Sequence, residues 1–137
     1  MNILESQTSV VVRIIGENID FNNILNKLPA GAKIHRKGDV LFKKFIVEND
    51  VIIFDFKTNK TELIDQLTEI LDIFESYKRY LKQLSNTMDI IIRIYMQSNM
   101  AQLYSYIPND ILMKISDLSM SIEFSVWSEG MVKDTDK

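Results

Sequence analysis

The chain has 137 residues, 46% hydrophobic and 26% charged, with a net charge of −3. One histidine and no cysteine exclude disulfides, thiolate chemistry, cysteine-based zinc or iron–sulfur sites and any multi-histidine metal centre. Four glycines leave little room for a glycine-rich phosphate loop, and the mildly acidic balance disfavours a nucleic-acid partner.

Thr8–Ile15 is rich in β-branched residues and ends at Gly16, which predicts a strand. Asp20 is placed to cap a short helix over Phe21–Leu28, with Ile24, Leu25 and Leu28 as its apolar side; Pro29 and Gly31 stop it. Ala32–Lys37 reads as a second, short strand ending in a turn at Gly38-Asp39. Leu41–Glu48 and Val51–Phe56 are β-rich runs on either side of Asn49-Asp50, a turn dipeptide, and together predict a hairpin.

Asn59 and Glu62 make a capping-box-like start for the next element. Leu63, Leu67, Ile70, Phe74, Tyr77, Leu81 and Leu84 then recur at alternating steps of four and three, one continuous helical stripe. The spacing is formally a heptad seam, but a helix lying on a sheet is the plainer reading. Its span of roughly 37 Å exceeds a typical strand, so a bend near Ser76–Lys78 is expected. Met88–Met96 has the character of the first strand, and Leu103–Tyr106 reads as a short extension of the sheet. Pro108 suits the first position of a helix over Asn109–Leu118, with Ile111, Leu112 and Ile115 inward. Met120–Trp127 alternates strictly and predicts a strand. Residues 129–137 read as a frayed tail, leaving 1–128 as one domain.

Val10–Ile15 (VVVRII) is echoed by Ile90–Tyr95 (IIIRIY), each followed by a connector, a short helix and a strand. Alternation assigns Val12, Ile14, Ile92, Ile94, Ile122 and Phe124 to the core. An unpaired buried arginine is very costly, so the opposite face, with Arg13, Arg93, Tyr95, Glu123 and Trp127, is the less buried one. Two readings fit that face. One is a solvated surface with Arg–Glu cross-strand pairs. The other is a binding surface, since Arg, Tyr and Trp are enriched in interface hot spots and arginines can grip an anion bidentately.

A secondary basic patch, His35, Arg36 and Lys37, sits in Lys33–Lys44, where five basic side chains face only Asp39. Phe45–Glu75 follows with eight acidic residues against two basic ones. That layout either steers a partner or is a solvated charged hairpin. Lone His35 has no evident catalytic partner, and the helical carboxylates Asp65, Glu69 and Asp72 read as solvated. No dinucleotide, phosphate-loop, zinc-protease or hydrolase motif occurs, so no catalytic residue, metal site or cofactor is expected.

Thr8-Ser9, Arg13-Ile14, Gly16-Glu17, Asp20, Ile24, Leu28 and His35-Arg36-Lys37-Gly38-Asp39 together resemble the small bacterial proteins grouped as domain of unknown function 4279. In that family a strand ending in Arg-Ile-x-Gly leads to a short helix and a basic Lys-Gly-Asp turn. Phe45 or a neighbour stands where the family often has tryptophan, and Glu123 where it often has aspartate. The resemblance implies an α/β domain and supplies no chemistry.

The expected fold is α+β, a single domain with a mainly antiparallel sheet, helices on one face, and two strand–helix–strand halves of ferredoxin-like or related type. Met1–Gln7 lacks a basic leader region and no apolar run reaches 18 residues, so a cytoplasmic location away from the membrane is expected. Frequent Ile, Lys and Asn point to a bacterial genome. The expected function is non-enzymatic binding of another protein, most concretely as a toxin-neutralising immunity protein. The alternative is a regulatory module holding a small anion between Arg13 and Arg93. A homodimer is left open.

Overall fold

The structure, a computed structural model, describes residues 7–29, 31–98 and 105–128. In chain order it contains β1 (Gln7–Gly16), α1 (Phe21–Lys27), β2 (Ala32–His35), β3 (Val40–Leu41), β4 (Phe45–Ile46), β5 (Asp50–Phe54) and α2 (Leu63–Phe74). A single 3₁₀ turn (Glu75–Tyr77) leads to α3 (Lys78–Leu84), β6 (Asp89–Ser98), α4 (Asn109–Asp117) and β7 (Ser121–Ser128).

The main sheet has the order β2-β5-β1-β6-β7, and only the β6–β7 pair is parallel. Two split strand–helix–strand units interlock: β1-α1-β2 encloses β5, and β5-α2-α3-β6 encloses β1. This is the ferredoxin-like arrangement, an α+β fold extended at one edge by α4 and β7. The sequence echo pairs β1-α1-β2 with β6-α4-β7 instead. That second unit exists, but its strands are direct neighbours, and parallel neighbours need a crossover such as α4. The echoed strands β1 and β6 lie side by side and antiparallel at the heart of the sheet.

The helices cover one sheet face. Val12, Ile14, Ile52, Phe54, Ile92 and Ile94 are fully buried there, packed with Ile24, Leu67, Leu71, Phe74, Leu81, Ile111, Ile115 and Leu118. Asp20 caps α1 as expected, its Oδ1 accepting from the Asn23 N–H at 3.2 Å. Phe74 meets Phe54 and Phe56 edge-on, both at 5.6 Å between ring centres. The stripe from Leu63 to Leu84 is therefore a helix on a sheet, and its break falls at Glu75–Tyr77, where the chain tightens into 3₁₀ geometry.

Several expectations are corrected. Leu41–Glu48 and Val51–Phe56 do not form a hairpin about Asn49-Asp50. Asp50 lies inside β5, which pairs with β2 and β1, because its carboxylate ties two other loops rather than making a turn. Leu41–Glu48 instead holds all but Val40 of a separate two-stranded ribbon, β3–β4. The helix starts at Leu63 after Glu62, without a side-chain cap, so Asn59 and Glu62 form no capping box; the Lys60 carbonyl is engaged by the Gln66 side chain at 3.1 Å. Pro108 is the cap residue of α4 and not its first helical residue. Leu112 is exposed, as is Phe124 at 54%, because β7 is the outermost strand and the helical layer does not reach over it. Ser105 and Tyr106 are not in a strand. Residues 103–104 and the tail 129–137 lie outside the described residues.

Candidate binding site

Strand parity builds the site. The sheet face away from the helices carries Lys33 and His35 on β2, Val51 and Ile53 on β5, and Val11, Arg13 and Ile15 on β1. It continues with Ile91, Arg93 and Tyr95 on β6, then Glu123, Ser125 and Trp127 on β7. Arg13 and Arg93 occupy the same place in their echoed strands. Antiparallel pairing of those strands sets Arg13 opposite Ile91 and Arg93 opposite Val11, so the two arginines become diagonal neighbours. Parallel β7 then brings Glu123 directly beside Arg93.

One carboxylate oxygen serves both guanidiniums. Arg13 Nη1 donates to Glu123 Oε1 at 3.2 Å, reaching across β6. Arg93 Nε lies 3.3 Å from the same oxygen, an ion-pair contact whose angle makes no hydrogen bond. Arg93 also packs over the Tyr95 ring, 5.2 Å from its centre. The three side chains are partly solvated, at 19%, 30% and 44% exposure for Arg13, Arg93 and Glu123, so each pair stabilises by only about 0.2–1 kcal/mol. The trio keeps one net positive charge.

The β3–β4 ribbon stands over this face. Between ribbon and sheet runs a groove of about 490 Å³, bounded by Arg13, Arg93, Tyr95 and His35 on the sheet and by Leu41, Phe42, Phe45 and Ile46 on the ribbon. Sequence reasoning treated the arginine face and the basic segment separately; the groove joins Arg13, Arg93 and Tyr95 with His35. It does not gather the rest. Arg36 packs over the Phe21 ring of α1 at 4.8 Å, and the Lys37 backbone N–H donates to the Asp50 carboxylate. Trp127 borders a separate depression of about 260 Å³ with Ser9, Tyr95 and Ser125.

The ribbon is held at its base and apolar at its tip. Asp50 Oδ2 accepts from the Ile19 N–H at 2.9 Å and Oδ1 from the Lys37 N–H at 2.8 Å, joining the loops that follow β1 and β2. Those bonds, Lys37's first and Ile19's second, hold the Asp50 carboxyl below its ordinary range; burial opposes them, and the charges of Arg36 and Lys37 add to them. Asp39 closes the next turn, its Oδ2 accepting from the Arg36 N–H at 2.8 Å, and Gly38 adopts the left-handed φ of 94° that the turn requires. At the tip, the Lys44 N–H donates to the Leu41 carbonyl at 3.1 Å, with Phe42 and Lys43 between them at φ 52° and 67°. Two left-handed residues are the signature of a type I′ turn, which normally takes Asn-Gly. Here it carries Phe-Lys at a backbone cost of about 1–2 kcal/mol per residue.

The tip leaves Phe42 86% exposed, and Val40, Phe45 and Ile46 are all more than half exposed. Sequence reasoning missed this apolar cluster. Its signal was the mirrored run Val40-Leu41-Phe42 and Phe45-Ile46-Val47 around Lys43-Lys44, too short on each side to be a core strand. No group of three or more metal-ligating side chains occurs among the described residues, and no helix among them is long and apolar enough to cross a membrane.

The family model described as Domain of unknown function (DUF4279) matches residues 6–129. The chain belongs to that family. No curated protein and no solved structure matches it. Its motif residues acquire structural reasons: Gly16 ends β1 where a Cβ would stand 2.9 Å from Met88 Cγ, and the Lys-Gly-Asp turn starts the β3–β4 ribbon.

Proposed function

We propose that this member of the DUF4279 family is a non-enzymatic bacterial binding domain that grips another protein through the β3–β4 ribbon and the adjoining open sheet face. Its most concrete form is a cytoplasmic immunity protein that neutralises a toxin. The carrying observation is the apolar tip: Val40, Phe42, Phe45 and Ile46 face solvent on a four-residue ribbon whose turn is strained. Exposed apolar area costs about 25 cal/mol per Å², and clustered exposure of this kind marks an interface. Arg13, Arg93 and Tyr95 beside the tip supply side chains of the hot-spot type.

The anion-binding alternative ranks second. Glu123 Oε1 already lies within 3.3 Å of both arginines, and a small anion would have to displace that carboxylate or share its partners. This reading expects the adjacent upstream gene to encode a toxin, and co-expression with that product is the test. Growth should be rescued by the parent chain and lost with Phe42→Ser/Phe45→Ser, while the variant still melts cooperatively. Equal rescue by both chains contradicts the reading.

A further inference from the structure

The outer edge of β7 is the other unusual surface. Among the described residues β7 pairs only with β6, so the outward backbone groups of an eight-residue strand have no partner strand. Natural edge strands are protected by shortness, proline, lysine or a bulge. β2, the opposite edge, has four residues and includes Lys33. β7 has none of these devices. Phe124, Val126 and Trp127 are 54%, 60% and 65% exposed, and the one charge, Glu123, is engaged by Arg13 and Arg93 of its own chain.

We propose that a second copy of this chain pairs with β7 in antiparallel fashion about a two-fold axis, joining two five-stranded sheets into one of ten strands. The sequence of the strand selects this occupant. Ile122, Phe124 and Val126 form an apolar pattern symmetric about Phe124. A two-fold axis there sets Phe124 against its own copy and Ile122 against Val126, all on the helical side of the sheet. On the other side Glu123 meets Ser125, so no like charges oppose each other. Beside Phe124 and Val126 lies a groove of about 390 Å³, with Leu63, Met96, Tyr106 and Ile107 on its other walls. In this register the partner's Phe124 stands opposite Phe124, which itself lines that groove. The ribbon surface lies on the opposite sheet face, towards β2 and β5, so self-pairing leaves it accessible and is independent of it.

The absence of cysteine gives a direct test. Opposed residues of an antiparallel pair have Cα atoms about 4.5–5.5 Å apart, within disulfide range. Under copper–phenanthroline oxidation, Phe124→Cys should form a covalent dimer at least about tenfold faster than the equally exposed control Val40→Cys. A mixture of Ile122→Cys and Val126→Cys chains, which retains Phe124, should form the mixed dimer preferentially. Sedimentation equilibrium of the unmodified chain at about 100 µM should give twice the chain mass, and Phe124→Lys should return the monomer mass with cooperative melting. A monomer mass for the unmodified chain overturns the proposal, as does a dimer whose cross-linking at 124 is no faster than at 40.

Discussion

Arg13 and Glu123 are 110 positions apart in sequence and sit on strands separated by β6, yet Arg13 Nη1 donates to Glu123 Oε1 at 3.2 Å. The contact bridges the ferredoxin-like unit and the added α4–β7 edge. Arg93, on the intervening strand, shares the same oxygen, so one carboxylate orders three strands of the open face.

Glu123→Asp tests the reach of that bridge. The shorter side chain should keep its neighbour Arg93 and lose Arg13, and Glu123→Ala should lose both. Because the site is partly solvated, we expect losses of about 0.5 kcal/mol for Asp and about 1 kcal/mol for Ala by urea denaturation, both smaller at high salt. No loss for Glu123→Asp would show that Arg13 contributes nothing, and equal losses for the two variants would show the same for Arg93.

Asp50→Asn should cost about 1.5–3 kcal/mol, since two backbone N–H groups lose a charged acceptor. The pH dependence has a fixed sign. The Asp50 pKa is lowered in the folded chain from its ordinary 3.8, so the carboxylate's contribution is full above that value and lost as pH falls through the lower folded one. The stability gap between parent and Asp50→Asn should hold from about pH 7 to 5 and narrow below about pH 4. A gap that widens on acidification contradicts this role.

Phe74→Ala should destabilise by about 3–5 kcal/mol in chemical denaturation, because a fully buried ring that touches Phe54, Phe56 and Tyr77 leaves a cavity. A loss below about 1 kcal/mol would mean the site collapses around the deletion.

Phe42→Asn/Lys43→Gly places the favoured type I′ pair at the ribbon tip. Relief of two left-handed side chains should hold or raise the melting temperature, while partner binding falls. A lower melting temperature would show that the Phe42 ring supports the fold.

Periodicity carried the layers. The alternation of Val12, Ile14, Ile92 and Ile94, and the four–three stripe from Leu63 to Leu84, reported burial directly, and all are buried except half-buried Tyr77. The arginine face was legible for the same reason, since parity fixes sides without knowledge of neighbours. Neighbours themselves were not legible. β5 reads as the second arm of a hairpin from its own residues; only the pairing of β2 and β1 with its two edges makes it central, and Asp50 favours turns wherever its carboxylate is not engaged at a distance. Phe124 alternates as a core residue does, but sequence does not reveal that its strand is last in the sheet. The ribbon was hidden because Phe42 and Lys43 are poor type I′ residues, and local propensity argues against the turn they make.

The central claim is that the ribbon tip is the protein-binding surface. Isothermal titration of the toxin domain that this reading expects the upstream gene to encode, into the parent chain and into Phe42→Ser/Phe45→Ser, tests it most directly. The account expects measurable binding by the parent and a loss of at least about 30-fold in the variant, the hot-spot scale for aromatic anchors. Unchanged affinity in a variant that melts like the parent would contradict it.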